Sequence, residues 1–305
     1  MSTVTALIPT YNEELNLQDC LASLRGWVDE IFVVDSFSTD RTCEIARAAG
    51  ARVVRHEYPG PAEQKNWALD NLPIESEWVL ILDADERVSA ALRDEILGLI
   101  AAGGDCQGFY LNRLFIFYGH PIRHCGWYPS WVLRLFRRGA ARYENRAVHE
   151  HMVVAGPVGF CRADLLHEDR RDLSHWIAKH NRYSSLEAAE MVRARTGQSR
   201  MGWRLHGSLA LKRLIKERLW PYLPGRSLLY FLYLYILRLG FLDGAAGWRF
   251  CLMHASVELW TSLKYWELRN CKHQAPPGGI AVPRYFVADS LKPRQQDNGG
   301  NRCAV

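Results

Sequence analysis

The stretch Trp78-Val79-Leu80-Ile81-Leu82-Asp83-Ala84-Asp85-Glu86 decides the fold. From Trp78 to Leu82 it is apolar without a break. That is the pattern of a strand buried on both faces, as in a parallel sheet covered by helices. Acids crowd its end at Asp83, Asp85 and Glu86. In an open α/β sheet the ligand sits outside the carboxyl ends of the strands. Carboxylates crowded there repel one another, so a cation is expected between them. Hard cations such as Mg²⁺ or Mn²⁺ take carboxylate and phosphate oxygens. Asp83 and Asp85 therefore read as a metal-diphosphate site. An Asp-x-Asp pair standing alone reads more simply as a solvated turn, and the rest of the chain reverses that.

Upstream, residues 4–9 form a strand that stops at Pro9, followed by Thr10-Tyr11-Asn12-Glu13-Glu14. Asn12 is expected to cap a helix whose buried stripe is Leu15, Leu17, Leu21 and Leu24. Residues 31–34 are a second buried strand ending at Asp35. The turn after it leads to a helix capped by Asp40 and stopped by Gly50. Residues 51–54 are a third strand, and a helix over about 62–72 leads back to Trp78. Strands alternating with helices predict right-handed βαβ units, an α/β fold and a mostly parallel central sheet. Thr10-Tyr11-Asn12-Glu13, Asp35 and Asp83-x-Asp85 then share one sheet edge. No Gly-x-Gly-x-x-Gly follows the first strand, which disfavours a dinucleotide fold, and no P-loop motif occurs.

Pro9-Thr10-Tyr11-Asn12-Glu13, Val34-Asp35-Ser36-Phe37-Ser38-Thr39-Asp40, Gln64-Lys65-Asn66 and Leu82-Asp83-Ala84-Asp85-Glu86 occur in that order. In them the chain resembles family 2 inverting glycosyltransferases of the GT-A fold. More narrowly, it resembles bacterial enzymes of lipopolysaccharide-core and surface-polysaccharide assembly. The resemblance covers residues 1–150 and extends more loosely to about 270. It implies a nucleotide-sugar donor, a UDP-sugar, and Mg²⁺ or Mn²⁺. Thr10, Tyr11 and Glu13 would line the nucleotide pocket, and Asp35 would hydrogen-bond a uracil-type base. Lys65 would lie near the nucleotide-sugar, Asp83 would touch ribose or metal, and Asp85 would ligate the metal. Many relatives have Asp where this chain has Ser36 and Gly where it has Phe37, so the base and the residue that reads it are left open.

Residues 88–101 read as a helix, 108–117 and 131–138 as strands. The aromatic segment between those strands, with His124, Trp127 and Tyr128, either shapes a sugar site or packs. Asn145-Arg146-Ala147-Val148-His149-Glu150 is the second chemical stretch. Inverting transfer needs one base for the acceptor hydroxyl proton. Glu150 fits that role by its order in the chain and by resemblance to a His-Glu element in relatives, with His149 positioning it or reaching phosphate. The alternative is a surface loop with a chance His-Glu-His. His167-Glu168-Asp169 is the runner-up cluster, and by analogy with some GT-A enzymes His167 would reach the metal.

The chain has 305 residues, 48% apolar, with net charge +5. Residues 1–150 carry 15 basic and 21 acidic side chains, and residues 151–305 carry 23 and 12. The acidic half suits a metal and the basic half an anionic surface. None of the eight cysteines forms Cys-x-x-Cys, so reduced thiols in a cytosolic protein are expected. The start leads straight into a strand, with no secretory signal pattern. Residues 173–195 read as a long helix and 201–219 as a basic amphipathic helix suited to a membrane surface. Residues 228–237 are apolar but too few to span a bilayer, so they are either interfacial or a docked core helix. Residues 248–268 are a further amphipathic helix, and a polar tail follows. The expected organisation is a catalytic domain at 1–170, a helical membrane- and acceptor-facing region at 171–270, and a mobile tail at 271–305.

The resulting expectation is an enzyme on the inner face of the cytoplasmic membrane that acts on a lipid-linked saccharide. Transfer to a polyprenyl phosphate would need no strong base, so Glu150 argues against it. A sugar nucleotidyltransferase would need a Gly-rich basic loop after the first strand. A non-catalytic membrane adaptor would not need the intact acids. No nucleic-acid motif accompanies the basic half, so no nucleic-acid partner is expected.

Overall fold

The computed structural model describes residues 3–144, 152–195, 220, 223 and 225–270. The strands apolar on both faces form the parallel part of the sheet. β1 (Val4–Thr10) lies between β2 (Glu30–Asp35) and β4 (Trp78–Ile81), and β3 (Arg52–Arg55) adds beyond β2. β8 (Trp131–Arg137) then runs antiparallel between β4 and β6 (Gly108–Phe117). β11 (Val158–His167) is parallel to β6, and β5 (Glu86–Val88) closes that edge antiparallel to β11. β7 (His120–Ile122) folds back on β6, while β9 (Ala141–Tyr143) and β10 (Met152–Val154) form a separate ribbon. Thus β1, β2, β3, β4, β6 and β11 run one way, and β5, β7 and β8 the other.

Side-chain alternation along β1 sends Val4, Ala6 and Ile8 to one face and Leu7 to the other. The first face packs on α1 (Leu17–Leu24), α2 (Thr42–Ala48) and α4 (Ala90–Ala102) through Leu21, Leu24, Ala46, Leu92 and Ile96. The second packs on α3 (Pro61–Asn71) through Ala62 and Ala68. The chain runs outward from β1 to β2 and β3, then returns to β4 on the other side of β1. The order reverses there, and this reversal opens the crevice in which ligands of such sheets sit. Thr10 and Asp83 stand at its two sides.

The carboxyl-terminal layer is α5 (Leu173–Arg195), α6 (Arg226–Leu232) and α7 (Gly244–Asn270). Lys264 of α7 donates to Asn181 Oδ1 at 2.6 Å, Ser184 Oγ at 2.7 Å and Ser185 Oγ at 2.8 Å, which clamps α7 to α5. Ile122, Cys125, Leu234, Phe250 and Cys251 form a second core that docks this layer on β6 and β7.

The early strands lie where the apolar runs place them. The first helix differs from expectation. Asn12 is no cap: it sits in the left-handed region at φ 55°, and α1 starts five residues later at Leu17 behind Asn16. The amides of Glu13 and Glu14 donate across to Thr42 Oγ1 and Asp40 Oδ2, at 2.8 and 3.1 Å, and this cross-strand bonding displaces the helical turn. Leu15, expected in the buried stripe, is 56% exposed for the same reason. Asp40 likewise stands one residue before the cap position of α2, which is Arg41, although its side chain accepts the Thr42 amide at 3.0 Å. The strands β5, β7, β9, β10 and β11 were not legible in the sequence. The expected basic helix at 201–219 and the tail at 271–305 lie outside the described residues.

Leu80 is fully enclosed between β1, β8 and the α1–α4 face. Leu80→Ala should destabilise the fold by about 2–5 kcal/mol, the range for cavity-forming substitutions. Urea denaturation measures it; a loss under about 1 kcal/mol would mean that the sheet is not the rigid element of the site.

Candidate active site

The site is built on the carboxyl ends of β1, β2 and β4. The loops after β1 and β2 are stitched together. The Ser36 amide donates to Thr10 O, the Asn12 amide to Ser38 Oγ, and the Thr39 amide to Asn12 Oδ1, all at 2.8–2.9 Å. Asp35 is the knot. Its Oδ2 accepts the Ser38 amide at 2.9 Å, and its Oδ1 accepts the Ser38 hydroxyl and, at 3.2 Å, the Thr10 hydroxyl. Asp35 is wholly buried. The geometry therefore gives it the work of holding this loop. Tyr11 and Phe37 flank the knot, each 52% exposed, and Phe37 is held at φ 60°. Non-glycine residues in that region are often kept at binding sites.

Helix α3 reaches the site with three successive side chains. Gln64 Nε2 donates to Ser36 Oγ at 2.7 Å. Lys65 Nζ lies 3.7 Å from Asp83 Oδ1 and over the Tyr143 ring. Asn66 exchanges two hydrogen bonds with the Tyr143 backbone, at 2.9 and 3.0 Å. The helix thus ties both the β2 loop and the β9–β10 ribbon to Asp83.

Beyond Leu82 the chain turns sharply under Glu86, whose Oε2 accepts the Asp83 amide at 3.0 Å. Glu86 is completely buried, and its charge is met by Arg134 of β8 at 2.7 Å and Arg113 of β6 at 3.6 Å. Arg134 also donates to Asp83 Oδ2. Burial works to raise the Asp83 pKa, but Arg134, Lys65 and Arg113 outweigh it and hold the carboxyl well below the usual range. A third of its side chain is exposed, so water screens part of this effect.

Asp85 points the other way. Its Oδ2 lies 3.3 Å from His167 Nε2, at the end of β11. Burial opposes both charges, yet each partner stabilises the other: Asp85 is shifted down and His167 up. One carboxylate oxygen and one imidazole nitrogen make a donor pair fit for a cation shared with diphosphate oxygens. Among the described residues no three His, Cys, Asp or Glu side chains gather as a metal-ligand set. The expected trio of Asp83, Asp85 and His167 is therefore divided, because Arg134 and Lys65 draw Asp83 to their own side.

Glu13 accepts from Asn16 at 2.8 Å and Arg171 at 3.0 Å, and burial pushes its carboxyl up to about 7 against the pull of that arginine. It fastens the β1 loop to the segment between β11 and α5. Glu168, the runner-up base, is held by Arg87 and Arg170, and Asp169 by Arg171, so this cluster is a network of ion pairs. His149, Glu150 and His151 lie outside the described residues. Their flanks are placed: Tyr143 is paired with Met152 across the ribbon, and the Tyr143 ring lies under Lys65. Arg134, Arg113 and Glu86 were missed as site residues. The signal available was an arginine at an inward position in the apolar run Val132-Leu133-Arg134-Leu135-Phe136.

Removing one partner of a buried charge pair leaves the other uncompensated. Arg134→Met should therefore destabilise by about 3–5 kcal/mol. Glu86→Gln, which keeps the shape and the acceptor for the Asp83 amide, should lose less. Urea titration of both variants checks this, and equal stability of Arg134→Met and wild type would remove Arg134 from its place as the site's anchor.

The family model for glycosyl transferase family 2 matches residues 5–154. The chain is 36% identical over 201 residues to the lipopolysaccharide core biosynthesis glycosyltransferase LpsC of Rhizobium meliloti, covering 62% of this chain and 72% of that one. It is 30% identical to an uncharacterized glycosyltransferase of Rickettsia felis, over 63% and 71% of the two chains. Glucosyl-3-phosphoglycerate synthase from Mycobacterium tuberculosis, solved with Mn²⁺ and UDP, is 27% identical over 37% of this chain and 44% of its own. Its TM-score of 0.32 is too low to carry an argument. The α/β fold, the ordered motifs and the relatives matched over most of their length agree: the chain is a glycosyltransferase and belongs to glycosyl transferase family 2.

Proposed function

We propose that this enzyme moves a hexose, with inversion, from a UDP-sugar to a lipid-anchored saccharide of the lipopolysaccharide-core type, on the cytoplasmic face of the membrane. The observation that carries the reading is the divided acid pair after β4. Asp83 is held between Arg134 and Lys65, and Asp85 faces His167 at 3.3 Å. Such an edge supplies cationic and anionic groups side by side, as a diphosphate with its counter-ion requires. Similarity to LpsC, whose name places that protein in lipopolysaccharide core biosynthesis, supports the acceptor class.

Asp85 and His167 would hold Mn²⁺ or Mg²⁺, and the mixed oxygen and nitrogen donors favour Mn²⁺. A bound divalent cation supplies charge neutralisation for a departing diphosphate. Lys65, 3.7 Å from Asp83 Oδ1, adds a second positive group on the same edge. Tyr11 and Phe37 offer ring faces to a pyrimidine. Glu150 takes the acceptor hydroxyl proton as the new bond forms, with His149 orienting it. The support for Glu150 is its place in the stretch bracketed by Tyr143 and Met152, whose stem lies on Lys65. Glu168 is unsuited to that role because Arg87 already engages it.

Asp85→Asn should abolish Mn²⁺-dependent UDP binding by calorimetry while the fold is kept; unchanged affinity would sink the metal assignment. Glu150→Gln should leave donor affinity near wild type and reduce turnover on the order of 10²–10⁴-fold, the usual contribution of a positioned base. Full turnover by Glu150→Gln would move the acceptor towards a phosphate, which needs no such base.

A further inference from the structure

The carboxyl-terminal layer presents an apolar surface that the catalytic reading does not use. α6 runs on through one π-type turn, Tyr233–Leu237, and a 3₁₀ turn, Gly240–Asp243, into α7. The two limbs meet at 74°. Among the described residues no single helix is long and apolar enough to cross a membrane, but this bent pair together has the length and composition of a broken or re-entrant segment. The bend is built in. Leu239 is left-handed at φ 57°, and a side chain on Gly240 would meet Cys251 Sγ at 2.8 Å and Leu234 O at 2.9 Å. The elbow's inner side is packed, with Leu234, Phe250 and Cys251 buried against Ile122 and Cys125. Asp243 fixes it further by accepting the Arg123 and His124 amides, at 3.3 and 2.8 Å.

The outer side is bare. Leu228 is 61% exposed, Leu237 73% and Leu242 56%, with Leu232, Ile236 and Phe241 open between them. Large exposed apolar patches mark interaction surfaces. From Arg226 to Val257 the chain has three arginines, of which Arg226 is buried against Glu258 while Arg238 and Arg249 are exposed, and Asp243 is its sole acid. That acid is buried against His124, so the elbow presents no exposed negative charge. Tyr233 and Trp248, amphipathic rings suited to a headgroup boundary, are also open. The elbow is also near the chemistry. His167 touches Phe115 at 4.7 Å between ring centroids, Phe115 touches Trp127 at 5.0 Å, and Trp127 touches Phe250 of α7 at 5.6 Å.

From these observations we infer that the α6–α7 elbow is the surface by which the enzyme sits in the interfacial zone of an anionic bilayer, its open leucines in the apolar layer and Arg238 and Arg249 at the headgroups. This deepens the lipid-linked acceptor reading and rests on it only for its purpose. Of the two expectations for residues 228–237, docking describes the inner face of the element, while its outer face is open.

The test is flotation of the full chain with phosphatidylethanolamine vesicles, with and without phosphatidylglycerol. Wild type should float, more so with phosphatidylglycerol and less at high salt. Leu237→Asn with Leu242→Asn should lose roughly a hundredfold in partitioning, about tenfold for each leucine taken from an apolar phase. Leu228→Asn with Leu232→Asn, on the other limb, gives an independent reading should the first pair not fold. Flotation equal to wild type in a folded variant, or no flotation of wild type, overturns the inference. So does a lipid-free dimer that the same substitutions dissociate, because a second copy would then cover the face. Transfer to detergent-dispersed lipopolysaccharide core separates the two readings. Lost flotation with retained transfer in the leucine variants supports the docking surface. Flotation of a wild type that transfers nothing to the core spares the surface and defeats the acceptor.

Discussion

Everything at this site depends on one buried guanidinium. Arg134 lies in the middle of β8 with two carboxylates on it, Glu86 beneath and Asp83 above. An unpaired charge there would carry a large desolvation penalty, so the three groups hold one another in place. Glu86 also takes the Asp83 amide, so the same acid that neutralises Arg134 bends the chain after Leu82. The turn has to be sharp. Only then do Asp83 and Asp85 leave the strand on different sides, one towards Lys65 and the other towards His167. β8 runs antiparallel between the parallel halves of the sheet and is well placed to deliver such a residue from below. The irregular strand of the sheet is therefore the one that sets the chemistry.

A second constraint is the joining of loops from separate strands. The β1 and β2 ends are bonded through Asp35, Ser38, Asp40 and Thr42, and α3 is bonded to them through Gln64. Short polar side chains that accept backbone amides do here what a helical turn would do in a simpler protein. They also leave Tyr11 and Phe37 no inward space, which is why both rings are open in an otherwise well-buried region. Rigidity in the loops and exposure of the rings have the same origin.

Much of this was legible beforehand, and the reason is physical. Apolar runs such as residues 78–82 are strong signals because burial on both faces demands them, and strand ends inherit their place from the strands. Asp83, Asp85, Lys65 and His167 stood out by pattern and resemblance, and the structure places them at the carboxyl edge of the sheet. Less was legible where a residue's role is set by a distant partner. Glu86 looked like a third acid of the cluster and proves to be the counter-ion of an arginine 48 positions away. Asp35 stood out as a candidate at the base, and its place as the knot of the β1–β2 loops, bonded to the Ser38 amide and two hydroxyls, was not legible. Asn12 looked like a cap because its own segment favours one; the bonds to residues 38–39 lie outside any local window. Short edge strands such as β5 carry too few residues to declare a period.

The link between the site and the helical layer follows from ring packing. His167, Phe115, Trp127, Phe250 and His254 form an unbroken series, continued by Trp176 stacked on His180 at 3.8 Å. Edge-to-face contacts between such rings fix angles as well as distances. The two histidines at its ends are shifted in opposite directions. Burial, helped by His180, keeps His254 down to about 3, so it is neutral at physiological pH, whereas His167 is drawn up by Asp85. A neutral, tightly packed far end costs nothing in desolvation when α7 is covered by apolar material. The near end carries the Asp85–His167 pair at the carboxyl edge of the sheet. The gradient from ionic to apolar along a few ring diameters is what an enzyme needs if its donor arrives from water and its acceptor is held in lipid.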